Sequence, residues 1–200
     1  MRPRINPYLE DYRYDELREG FLATCLVGGA DERLVLSDGT VANNKVIAER
    51  MQADPDLAAE MVHRIGGLVM QHDPQFIYGV PSGGTWLAIE IAKQHDISVV
   101  TLTRDRADKN KFTFKHPDID RDLILANLER GVLVEDVFRT FKNSRAALAI
   151  PGLAEKTVAA KALLDRLEPG RLGLSVPHAA VIEEYIPIQI NTDSQYNRYL

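Results

Sequence analysis

The chain is short of several things, and each shortage removes a class of function. It has one cysteine among 200 residues, so no intrachain disulfide and no thiolate zinc cluster can form, and a reducing compartment suits it. That residue, Cys25, lies in the apolar run FLATCLV and reads as a small buried hydrophobe. No apolar run reaches the roughly 18 residues of a membrane span, and the N-terminal MRPRINPYLEDYRYDE holds no signal-like apolar stretch, which reads as a cytoplasmic protein with no membrane partner. Basic residues are not in excess: 24 Lys and Arg against 29 Asp and Glu leave a formal charge of −5, which argues against a nucleic-acid partner. Neither a P-loop nor a G-x-G-x-x-G dinucleotide turn occurs, and His63 and His72 lack partners at metal-ligand spacing, so both read as surface residues.

What remains is an ordinary globular composition, 45% hydrophobic and 26% charged, expected to form a single domain over 1–200. Residues 15–27 carry Leu17, Phe21, Leu22 and Cys25 at helical spacing before Gly28-Gly29. Residues 32–48 read as a hairpin turning at Ser37-Asp38-Gly39-Thr40. Asp54 and Pro55 open a helix with Leu57, Met61, Ile65, Leu68 and Val69 as its apolar stripe. Strand-like runs then alternate with helical patterns: Phe76-Ile77-Tyr78, the run from Ser98, Val132-Leu133-Val134 and 157–164. Such alternation predicts an α/β fold built on a parallel sheet.

Two turns in this series have the chemistry of a phosphorylated-sugar site. The apolar run at 132–134 ends in Glu135 and Asp136, and a polar loop follows, Phe138 to Ser144, where Ser144 is placed to cap a helix. Carboxylates suit ribose hydroxyls, and backbone N–H groups in such a loop suit a phosphate. About 50 residues earlier, Gly79-Val80-Pro81-Ser82-Gly83-Gly84-Thr85 joins a strand to a helix through small residues that expose backbone N–H groups. Between the two lies 104–122, RDRADKNKFTFKHPDIDRD, with seven Arg, Lys or His and five Asp; this charged segment is either a cationic lid or a solvated connection.

VLVEDV followed by Thr140 resembles the ribosyl-diphosphate signature of type I phosphoribosyltransferases, and GVPSGGTWLA resembles the turn that binds pyrophosphate in that family. Ser37, Gly39 and Lys45 fall where orotate-type members carry a turn and a lysine, and Asp165-Arg166-Leu167-Glu168 is similar to their Asp-Arg-x-Glu. The loop after the acid pair departs from the pattern: Arg139 stands in place of Thr, and Phe141 and Lys142 in place of Gly or a small residue. The lid departs too, with Asp105, Asp108 and Asn110 where basic residues are usual and Arg106, Lys109 and Lys111 displaced by one.

The resemblance implies a three-layer α/β sandwich with a central parallel sheet, a core over about 49–170 and a small hood from about 1–48 and 171–200. It implies transfer of 5-phosphoribose from 5-phosphoribosyl 1-diphosphate to a nucleobase, orotate first, in pyrimidine nucleotide biosynthesis. Mg²⁺ would be held mainly through the diphosphate, with no dedicated protein ligands, and a homodimer is the expected assembly. Asp136, Glu135, Lys109 and Lys111 are then expected to be catalytic. Ser82, Gly83, Gly84, Thr85, Arg104, Arg106, Arg139, Thr140, Phe141, Lys142, Asn143, Ser144 and Lys45 are expected to bind substrate. The altered loop also fits a different class, a regulatory module that binds a nucleotide or the activated sugar without turnover. A structural protein that keeps only the fold is the third reading.

Overall fold

The computed structural model describes residues 14–29, 32–36, 41–81 and 83–187; the arm 1–13, the turn with Ser37 and Gly39, Ser82 and the tail 188–200 lie outside the described residues. α1 (Tyr14–Cys25) buries Leu17, Phe21 and Cys25 at the spacing the sequence predicts, but it ends two residues early. Leu26–Gly28 is instead a short strand, β1. The hairpin forms from β2 (Leu34–Val35) and β3 (Val41–Ala42), and the chain continues into β4 (Asn44–Val46), which pairs with β1. A 3-10 helix over Ala48–Ala53 leads to Asp54, whose carboxylate accepts from the Leu57 amide at 3.1 Å and caps α2 (Pro55–Met70).

The rest of the chain alternates. β5 (Phe76–Gly79), α3 (Gly83–His95), β6 (Ser98–Arg104), β7 (Phe112–Phe114), α4 (Pro117–Asn127), β8 (Gly131–Phe138), α5 (Lys142–Leu148), β9 (Thr157–Asp165) and β10 (His178–Glu183) follow in order. The six strands form one sheet ordered β10-β9-β8-β5-β6-β7, parallel throughout except for β7 at one edge. Phe76 to Gly79 and Gly131 to Glu135 are buried without interruption, as strands covered on both faces must be. One apolar layer joins α1, α2 and α3 to the sheet through Phe21, Ile65 and Leu87. The other joins Ile124 of α4 and Ala147 of α5 to Tyr78 and Leu133. The result is the three-layer α/β sandwich with a central, mostly parallel sheet.

Strand order fixes where a ligand can sit. β5 leads to β6 on one side, while β8 returns beside β5 and leads to β9 and β10 on the other. The direction of winding reverses between β5 and β8, and the crevice beyond their carboxyl ends is the position that open parallel sheets use for ligands.

The charged segment 104–122 is not one irregular connection. Phe112–Phe114 is β7, paired antiparallel with β6, and Pro117 opens α4. Besides the two-residue link 115–116, 105–111 remains as a loop, tied by Asp105 N to Lys111 O at 3.0 Å and by Lys111 N to Asp108 O at 2.9 Å.

Candidate active site

β5 and β8 are hydrogen-bonded neighbours with Gly79 level with Val134, so the glycine-rich turn and the acid pair leave the sheet side by side. Contact between them is close. A methyl group on Gly83 would lie 2.7 Å from Asp136 Cγ, and one on Gly84 would lie 3.1 Å from Glu135 Cα. Only glycine lets this turn sit against β8.

Side chains alternate along a strand, so the two acids point to opposite faces of the sheet. Asp136 meets Gly83 and is half-buried. Glu135, 5% exposed, reaches α5, where the Ser144 hydroxyl donates to its carboxyl and the Asn143 side chain also hydrogen-bonds to it. Burial pushes Glu135 up to about 8; the hydroxyl of Ser144 opposes that shift and the charge of Asp136 adds to it. Asp136 is raised to about 6, by burial first and then by Glu49, with Lys45 pulling the other way.

A cavity of about 600 Å³ opens over these residues. Its walls include Lys45 and Glu49 from the segment after β3, Pro81 and Gly83 from the turn, and Arg104 at the end of β6. Arg139 to Asn143 and Arg166 complete them. Five cationic side chains (Lys45, Arg104, Arg139, Lys142, Arg166) thus face three carboxyls (Glu49, Glu135, Asp136), one of which burial keeps largely neutral. The balance suits an anionic ligand.

The loop after β8 departs from the expectation for Ser144. That residue does not cap α5: Phe141 holds the N-cap position, with φ 58° in the left-handed region. Its ring packs edge-on against Phe138 at 5.0 Å and His178 at 4.8 Å, with the Arg171 guanidinium 4.3 Å above its face. Phe141 therefore keeps a backbone turn that glycine adopts freely, at the cost of strain that the clamp offsets. Arg139 lies 3.8 Å from Glu168.

The other expected residues divide. Arg104 lines the cavity, stacks 5.1 Å over Phe112 and donates to Lys109 O at 2.9 Å, so it holds the 105–111 turn. Arg106, Lys109 and Lys111 are exposed and stand outside the cavity lining, and Lys111 pairs with Asp108 at 3.5 Å. Thr85 Oγ1 is buried in the first turn of α3 with no partner among the described residues.

Two charged cavity residues have no assigned role in the sequence reading. Glu49 sits in Ala48-Glu49-Arg50-Met51, which carries no distinguishing signal. Arg166, only 2% exposed, was visible in Asp-Arg-x-Glu; it donates to Asn44 Oδ1 at 2.8 Å and Ile186 O at 2.9 Å. Its Nε is buried with no partner among the described residues, and burial lowers its pKa to about 10.

A Mg²⁺ ion carried in on a diphosphate needs one or two protein oxygens rather than a full cage. The carboxyls of Asp136 and of Glu49, whose charge raises Asp136 across the cavity wall, are hard oxygen donors of that kind. Among the described residues no cluster of three or more His, Cys, Asp or Glu is arranged to hold an ion alone.

No family model and no curated protein matches the chain. Solved structures do. Orotate phosphoribosyltransferase from Aeropyrum pernix superposes with a TM-score of 0.61 at 18% identity, over 86% of this chain and 93% of that one. The orotate enzyme of Mycobacterium tuberculosis H37Rv, in complex with inorganic phosphate, gives 0.59 at 17% over 85% and 95%. Adenine phosphoribosyltransferase from Trypanosoma brucei, in complex with AMP, pyrophosphate and ribose-5-phosphate, gives 0.60 at 15% over 84% and 79%. These likenesses, together with a sheet that carries the acid pair and the glycine turn to one crevice, show that the chain has the type I phosphoribosyltransferase fold.

Proposed function

We propose that this protein transfers the 5-phosphoribosyl group from 5-phosphoribosyl 1-diphosphate to a nucleobase, orotate foremost, with release of pyrophosphate. The observation that carries the reading is the meeting of Asp136 with Gly83 at the point where the sheet reverses, in a cavity with five cations. The glycine turn and Arg104 receive the diphosphate. Asp136 accepts from the ribose hydroxyls and, as a carboxylate above pH about 6, favours the positive charge that grows on the ring. The C1–O bond breaks with its electron pair leaving on the diphosphate, a ring nitrogen of the base forms the new bond to C1, and that nitrogen's proton is released. Bound Mg²⁺ would neutralise charge on the departing diphosphate.

Arg166, which lines the cavity, supports an oxygen-rich base such as orotate, because a guanidinium gains most from an anionic or carbonyl acceptor. A second reading, a module that binds the activated sugar without turnover, is favoured by the Phe141 ring in the loop that would hold the 5-phosphate. Loss of orotate absorbance with the activated sugar and Mg²⁺ tests the first reading. Calorimetric binding of the sugar with no pyrophosphate released from it in the presence of any base would favour the second.

A further inference from the structure

Three consecutive carbonyls of the loop that follows β8 point at arginine-held or helical partners. Arg139 O accepts from Arg171 Nη1 at 3.5 Å, Thr140 O from Arg145 Nη2 at 2.9 Å, and Phe141 O from Arg145 N at 2.8 Å. In a trans peptide the N–H of the next residue points opposite to the carbonyl. Turning the carbonyls of 139 and 140 toward the arginines therefore turns the amides of Thr140 and Phe141 the other way, and residues 139 to 143 line the cavity. Successive N–H groups around a left-handed residue form an anion-binding concavity, and Phe141 at φ 58° supplies that residue without glycine.

Both arginines are anchored elsewhere. Arg171 forms a two-oxygen ion pair with Asp165 at the end of β9 and lies over the Phe141 ring; Arg145 Nη1 donates to Leu172 O at 3.0 Å. We propose that Arg171 and Arg145 are positioning residues that aim the Thr140 and Phe141 amides at the phosphomonoester of the ligand, replacing the conformational freedom that glycine would give. The inference rests on the function proposed above.

The test is calorimetry with two probes, ribose 5-phosphate for this loop and inorganic pyrophosphate with Mg²⁺ for the turn at Gly83. Arg171→Ala and Arg145→Ala should each weaken ribose 5-phosphate by about tenfold, the loss of one charge-assisted hydrogen bond, and leave pyrophosphate within about twofold. Arg171→Lys keeps a charge opposite Asp165 and should show a smaller loss, so the idea remains testable if Arg171→Ala does not fold. Unchanged ribose 5-phosphate affinity in any folded variant, or an equal loss for both probes, overturns the positioning role and leaves the proposed function standing. A parent protein that binds neither probe overturns the proposed function itself.

Discussion

At neutral pH Asp136, raised to about 6, is mainly a carboxylate, whereas Glu135, raised to about 8, is mainly the neutral acid. Asp136→Asn should therefore weaken Mg²⁺-dependent binding of the activated sugar by at least about tenfold, while the melting temperature stays level or rises, since a carboxylate leaves a desolvated place. Unaltered binding would remove Asp136 from the site. For Glu135 the sign runs the other way from an ordinary ion-paired acid. The unfolded chain sheds its proton near 4.5 and the folded chain holds it to about 8, so its stabilising contribution is complete below 4.5 and is lost as pH rises through 8. Glu135→Gln cannot ionise, so its melting temperature relative to the parent should climb between about pH 5 and pH 8. Parallel melting curves would show that Glu135 titrates normally.

At the scale of elements, the hairpin of β6 and β7 changes which cations matter. Arg104 both lines the cavity and holds Lys109 O, while Lys109 and Lys111 stand on the exposed turn. Arg104→Ala should raise the KM for the activated sugar by about tenfold, and Lys109→Ala with Lys111→Ala should leave kcat within about twofold. A fall in kcat in the double variant without a change in affinity would instead show the turn closing over the site. The central strands and α2 were legible because doubly buried strands read as unbroken apolar runs and a capped helix carries its own start signal. β7 and α4 were not. Three residues, FTF, are too few to show alternation, and the first turns of α4, PDIDRD, hold Ile119 as their one large apolar residue and so resemble a loop. The meeting of Asp136 with Gly83 could be expected only through the resemblance, because strand adjacency is a property of the whole sheet. The outward-held carbonyls of 139 to 141 had no sequence signal, since Arg145 and Arg171 act through geometry alone.

For the whole molecule, the proposed assembly is a homodimer, and light scattering on the purified chain should return twice the chain mass. A mass of one chain at micromolar concentration would set that aside. The margins of the sheet bear on how two copies can meet. β7 exposes only a three-residue rung set at one border, and β10 at the other is bracketed by Pro177 and Pro187. Among the described residues, the shortness of β7 and the prolines flanking β10 limit the row of amides these two borders offer to an incoming strand. At these two borders, pairing of copies through side chains is thereby favoured over extension of the sheet.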